Sequence, residues 1–161
     1  MLSVLIRTVV YASLFIGVAL VYLPARILAR AGVERPHHFG VTQGVGGIAV
    51  LLGTGLALWC IAAFVSLGRG TPAPFDPPRR LVVRGPYRHL RNPMYLGATL
   101  ALGGASLFYE ARALAVYTVG FAVLVHVFVV LYEEPTLGAT FGPGYAEYCR
   151  RVHRWWPRLT T

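Results

Sequence analysis

The sequence predicts an all-α fold: an integral membrane bundle of about four transmembrane helices, closed by a C-terminal segment lying at the interface. Three observations carry that expectation. Hydrophobic residues make up 56% of the chain and charged residues only 13%, about half the roughly 25% with which a soluble domain covers its surface. The apolar residues fall into four long runs. The cations, all fifteen of them arginine, cluster between those runs, as in the cytoplasmic loops of membrane proteins. Disordered chains are poor in apolar and aromatic residues, so disorder is excluded, and two cysteines are too few for a disulfide-stapled secreted fold. The net charge of +9 raises nucleic acid as a partner, but a nucleic-acid binder needs a soluble basic face. No nucleic-acid partner is expected.

The first apolar run, Val4 to Leu23, holds one charge, Arg7. It is longer than a signal-peptide core and no charged stretch precedes it, so it reads as a retained helix. The second, Val41 to Leu67, is uncharged and rich in glycine. The third, Met94 to Phe108, is short for a bilayer that takes about 20 helical residues to cross. The fourth runs from Ala113 to Tyr132. Four spans with the N-terminus inside put Arg7, Arg69, Arg79, Arg80, Arg84, Arg88, Arg91, Arg150, Arg151, Arg154 and Arg158 on the inner face. Only Arg26, Arg30, Arg35 and Arg112 then lie outside. Eleven against four places both termini in the cytoplasm, most simply of a bacterial inner membrane.

Between the second and third runs the proline-rich stretch Gly70–Pro78 reads as an extended loop. Asn92-Pro93 reads as an N-cap followed by proline at the first helical position. A tight turn at Glu110–Arg112 makes the last two helices an antiparallel hairpin. That hairpin brings Asn92–Tyr95 beside Glu133-Glu134 at the cytoplasmic face. Pro135 is expected to break or kink the fourth helix, leaving the acidic pair near its end, where a helix dipole prefers cations. The aromatic, basic tail through Trp155-Trp156-Pro157 should lie along the inner surface, placed to act as a lid.

These residues allow more than one reading. Glu133-Glu134 is either a pair of solvated boundary carboxylates, ion pairs with loop arginines, or a site. Arg88–Tyr95 is either a cap with positive-inside arginines or a ligand cradle with Tyr87 and Tyr95 facing a cation. Gly53-Thr54-Gly55 either lets helices pack closely or admits a ligand against the backbone. His37 and His38, with Glu34 close by, lack the spacing of a metal set, and no metal site is expected. His126 reads as a hydrogen-bonded packing residue.

The run Leu81-Val82-Val83-Arg84-Gly85-Pro86-Tyr87-Arg88-His89-Leu90-Arg91-Asn92-Pro93-Met94-Tyr95-Leu96-Gly97 resembles the signature of a membrane methyltransferase family. That family includes isoprenylcysteine carboxyl methyltransferases and phospholipid N-methyltransferases. Gly70–Pro74, Glu133-Glu134, and Phe141-Gly142 followed by Tyr145 and Tyr148 match it in order and spacing, from about Gly68 to Pro157. The resemblance implies one membrane domain, residues 1–161, with two N-terminal spans in 1–67. Residues 68–161 would form the cofactor-binding loop, hairpin and tail. It implies S-adenosylmethionine as cofactor, held by Leu81, Val82, Tyr87, Arg91, Asn92, Pro93, Met94, Tyr95, Glu133 and Glu134. The phospholipid enzymes add Gly53 and Gly55. It also implies methyl transfer to a lipid-like acceptor bearing a carboxylate, amine, thiol or hydroxyl. The sulfonium is already an activated leaving group, so that chemistry needs no metal.

Two departures bear on the acceptor. Asn92 stands where the family usually has histidine, and Val129 stands where the prenylcysteine enzymes have a substrate-associated arginine. A nicotinamide-dependent membrane reductase, similar to the sterol reductases, and a non-catalytic membrane module are the alternatives. Oligomeric state is not legible in the sequence.

Overall fold

The computed structural model describes residues 16–36, 38–63, 66 and 81–157. The N-terminal part of the first apolar run, Arg7, His37 and the Gly70–Pro74 match lie outside the described residues. Among the described residues the chain is helical without strands.

A π-helical stretch, Ile16–Tyr22, leads into α1, Leu23–Arg30. The helix therefore continues past Leu23, where the sequence ended the first span, because Ala25, Leu28 and Ala29 are good helix formers and Pro24 sits in the first turn. It stops at Gly32, which takes a positive φ of 63°. There Gly32 N–H donates to Ala29 O (3.3 Å) and Val33 N–H to Leu28 O (3.0 Å). This is the Schellman pairing that glycine permits.

α2, Val41–Ala63, begins with Gln43 capping its own entry: Gly40 N–H donates to Gln43 Oε1 at 2.9 Å. The buried Gln43 also donates from Nε2 to Glu110 Oε1 (3.1 Å), tying this end of α2 to the hairpin turn. α3, Pro93–Phe108, runs antiparallel along α2. The two backbones touch at paired glycines. A Cβ on Gly53 would lie 2.4 Å from Gly97 O, and one on Gly46 2.7 Å from Gly104 O. Small residues let membrane helices approach this closely, which is how apolar helices associate where no hydrophobic force separates them from lipid.

α4, Arg112–Phe128, follows a turn in which Glu110 takes a positive φ of 50°. It does not end before Pro135. It passes through a π turn, Val129–Glu133, into α5, Glu134–Phe141, giving one helix of 30 residues. Proline cannot donate to the helical ladder and crowds the preceding turn. It is tolerated here because it falls in the first turn of α5, directly after the widened π turn. The acidic pair thus lies within a continuous helix rather than at its end. α6, Pro143–Arg151, and an irregular tail to Pro157 complete the chain.

Val41–Ala63 and Arg112–Phe141 are long and apolar enough to cross a membrane, and only 22% and 28% of their apolar windows are buried. A soluble core helix would be mostly covered. Here Leu51 and Leu131 are each 73% exposed and Leu124 is 68% exposed, an apolar belt far larger than soluble monomers carry. α3 has 16 residues, about 24 Å at 1.5 Å per residue, and falls short of a full span. Two spans, rather than the expected four, meet the requirement among the described residues.

The interior divides into three clusters. Tyr95, Ala98 and Leu102 of α3 pack on Phe121, Val125 and Val129 along α4. Val82 and Tyr87 pack on Cys60 and Ala63 at the end of α2. Tyr145, Tyr148 and Val152 pack under Leu81, Leu137 and Phe141. The loop, the acidic pair and the tail converge at one end of the bundle.

Candidate active site

The site is built around the start of α3. Asn92 occupies the N-cap position, as expected, but its side chain makes no cap hydrogen bond. It is only 6% exposed, and its Nδ2 has no partner among the described residues. A buried amide donor left without an acceptor costs about 1–3 kcal/mol. One turn along, buried Tyr95 donates its hydroxyl to Glu133 Oε2 at 3.0 Å. The π turn ends at Glu133. A π turn inserts a residue and turns the following side chains about the helix axis. Thirty-eight residues separate Tyr95 from Glu133, and the hairpin closes that distance.

Glu134 faces elsewhere. Its carboxylate accepts from Arg154 twice, Nε at 2.8 Å and Nη2 at 2.7 Å, and is ion-paired with Arg91 Nη1 at 2.9 Å. Arg91 Nη1 also reaches Cys149 Sγ at 2.9 Å, while Arg91 Nε is buried without a partner among the described residues. The carboxylate beside Arg154 raises the guanidinium's pKa.

Tyr87 is buried in the 3-10 turn Gly85–Arg88, its hydroxyl hydrogen-bonded with the Cys60 thiol. Burial holds its phenol pKa well above 10. Its carbonyl accepts from the Tyr148 hydroxyl at 2.7 Å, fastening α6 to the loop. The tail continues that attachment. Arg91 N–H donates to His153 O at 2.9 Å, pairing Leu90 with His153. Trp155 Nε1 then donates to His126 Nδ1 at 3.1 Å, so His126 is a hydrogen-bonded partner of the tail.

The structure brings Asn92, Pro93, Met94, Tyr95 and Glu133 to one place, with Tyr87, Val82 and Met94 sharing the neighbouring cluster. Leu81 packs instead under the same cluster as Leu137 and Phe141, against Tyr145, Tyr148 and Val152. Gly53 lies against α3, its missing side chain taken up by the contact with Gly97. Gly55 is exposed, and nothing comes within 4 Å of where its Cβ would be. Val129 is fully buried in the core between α3 and α4. Sequence reading missed Arg154 as the partner of Glu134, along with Cys149, His153 and Tyr148 as contacts of the loop. Arg154 stood out there only as one more inner-face arginine, and no local pattern marks a partner twenty residues away.

Burial also raises the pKa values of Tyr145 and Tyr148 above the usual 10. A group whose folded pKa is raised stabilises the fold fully below its unfolded value and loses that contribution as pH climbs toward the folded one. The α6 attachment should therefore hold through neutral pH and loosen only above about pH 10. Alkaline titration of tyrosinate absorbance alongside helical circular dichroism should show delayed ionisation accompanied by loss of structure. Ionisation of every tyrosine near its ordinary value, with no structural change, would contradict this packing.

The described features match those of a known group. Residues 41–144 match the phospholipid methyltransferase family, well over half the chain, including Asn92, Tyr95, Glu133 and Glu134 but not the tail from Tyr145 onward. The chain belongs to that family. A curated relative from Cupriavidus metallidurans (strain CH34), the "Cobalt-zinc-cadmium resistance protein CzcN", is 35% identical over 117 residues, 72% of this chain. The chain spans about half of that relative's length (49%). No solved structure matches. As a member of the phospholipid methyltransferase family with two long apolar helices largely open to their surroundings, the chain is a membrane protein. Among its described residues no group of three or more histidine, cysteine, aspartate or glutamate side chains gathers as a metal site.

Proposed function

We propose that this protein is an S-adenosylmethionine-dependent methyltransferase acting on a lipid-like acceptor at the cytoplasmic face of a bacterial inner membrane. One observation carries the reading: the buried amide of Asn92, without a partner among the described residues, beside the Tyr95–Glu133 pair. The two halves suit the two ends of an amino-acid-bearing ligand. Asn92 Nδ2 is a donor for a carboxylate or ribose oxygen, and Glu133 is an acceptor for an ammonium or hydroxyls. The rings of Tyr87 and Tyr95 supply faces for a sulfonium or adenine. Pro93 and Met94 follow Asn92 directly in the chain, and Met94 packs against the Val82–Tyr87 cluster.

Bound there, S-adenosylmethionine supplies a methyl group on a sulfonium that accepts the C–S bonding pair as the acceptor attacks. The protein's part is positioning and exclusion of water. Tyr95 holds the Glu133 carboxylate in one orientation, and the lid formed by α6 and the tail covers the loop through Tyr148 and His153. The exposed apolar flanks of α4 leave the acceptor a route from the bilayer. The excess of arginine at this end of the bundle supports its cytoplasmic placement. The family match favours this reading over a nicotinamide-dependent reductase. The acceptor group is a carboxylate, amine, thiol or hydroxyl.

The test is methyl transfer itself. Purified protein in lipid nanodiscs, given methyl-labelled S-adenosylmethionine below saturation and a bacterial lipid extract, should move label into the organic phase, and the Glu133→Gln variant should move at least about tenfold less. Equal label with and without wild-type protein would contradict the proposal.

A further inference from the structure

Glu133 and Glu134 are adjacent, yet their carboxylates meet different groups. Glu133 accepts from Tyr95 within the helical bundle. Glu134 has Oε1 against both Arg91 and Arg154 and Oε2 against Arg154. Both of its oxygens are thus taken by guanidinium donors, one arginine binding it in the two-pronged geometry that suits a carboxylate. These side chains are only 15%, 17% and 29% exposed for Arg91, Glu134 and Arg154. Water therefore screens the charges weakly, and loss of one partner leaves an uncompensated charge.

The two arginines belong to different segments. Arg91 opens the segment that presents Asn92, and Arg154 lies in the irregular tail. The residue before Arg154, His153, accepts the Arg91 backbone N–H through its carbonyl. Arg91 is therefore gripped by α5 through Glu134, by α6 through Cys149 and by the tail through His153. The next residue is Asn92, whose amide is buried and has no partner among the described residues.

We propose that Glu134 is a clasp and not a ligand of the methyl donor: through Arg154 and Arg91 it fastens the C-terminal tail to the Arg91–Asn92 segment and fixes where Asn92 presents its amide. Arg154 and Arg91 are then positioning residues. The inference rests on the methyl-donor reading above for what Asn92 presents its amide to, but the clasp itself is a property of the free protein.

The experiment uses the full chain in nanodiscs, with Arg154→Gln, Arg154→Lys, Glu134→Gln and the Arg154→Gln/Glu134→Gln double variant. Hydrogen exchange at the Arg91 backbone amide is read without ligand, and affinity for S-adenosylhomocysteine is read by titration. Arg154→Gln should speed Arg91 exchange and weaken affinity, each about tenfold. Arg154→Lys keeps the charge without the two-pronged geometry and should recover part of both. The double variant should be no worse than Glu134→Gln alone, because the two residues act through one contact. Unchanged exchange, unchanged affinity in Arg154→Gln, or additive losses in the double variant would each overturn the clasp. Failure of the wild type to bind S-adenosylhomocysteine would instead sink the methyl-donor reading and the positioning role with it, while Arg91 exchange would still decide whether the clasp exists.

Discussion

Replacing Glu133 by glutamine is expected to weaken methyl-donor binding roughly 10- to 100-fold while leaving the fold intact. Glutamine keeps an oxygen that can accept the Tyr95 hydroxyl, now at 3.0 Å from the carboxylate, so the link between α3 and α4 survives. What disappears is the negative charge offered to an ammonium or to ribose hydroxyls. A hydrogen bond to a charged group contributes about 1.5–3 kcal/mol, and each 1.4 kcal/mol is about tenfold in affinity. Tyr95→Phe should have a smaller effect, since it removes the orienting donor and retains the charge. Titrating both variants with S-adenosylhomocysteine checks the order. An affinity for Glu133→Gln equal to that of wild type would remove Glu133 from the site.

The second large effect concerns the scaffold. Gly53→Val is expected to destabilise the bundle by about 3 kcal/mol or more, the upper range for overpacking a filled contact. The obstructing atoms are backbone: Gly97 O at 2.4 Å and Ala101 N at 2.6 Å from the added Cβ. No side-chain rotation relieves that clash, so α2 and α3 must separate. Gly55→Val is the matched control, two residues away on the same helix with open space around it, and should melt within a few degrees of wild type. Thermal unfolding in detergent, followed by circular dichroism, distinguishes the two. Comparable melting of both variants would show that the glycine crossing does not hold the helices together.

That pair of glycines also illustrates what one sequence can and cannot specify. Gly53-Thr54-Gly55 carried a packing and a ligand reading with nothing local to separate them. The crossing partner Gly97 lies forty-four residues on, and only the fold shows which of the two glycines meets it. The start of α3 at Pro93 was legible because proline and asparagine act through local backbone geometry. The hairpin was legible because the loop between its helices is too short for any other arrangement. Together these two local features bring Asn92–Tyr95 to Glu133.

Features set by long-range contacts were hidden. Proline at 135 reads as a helix break in isolation, but the π turn before it lets the chain continue, which moves the acidic pair into the helix. The Asn92 side chain reads as a cap, yet it makes no cap hydrogen bond, and its amide has no partner among the described residues. Glu134 could equally have been solvated, ion-paired or ligand-bound. The choice is made by Arg154, a tail residue with no periodic or motif relation to it.

In the function proposed here, the Asn92–Tyr95 and Glu133 cluster holds a methyl donor. Isothermal titration of the intact wild-type protein, in lipid nanodiscs, with S-adenosylhomocysteine tests it most directly. Saturable binding with one site per chain, competed by S-adenosylmethionine, is the expected result. Folded protein in lipid that takes up neither compound would contradict the account.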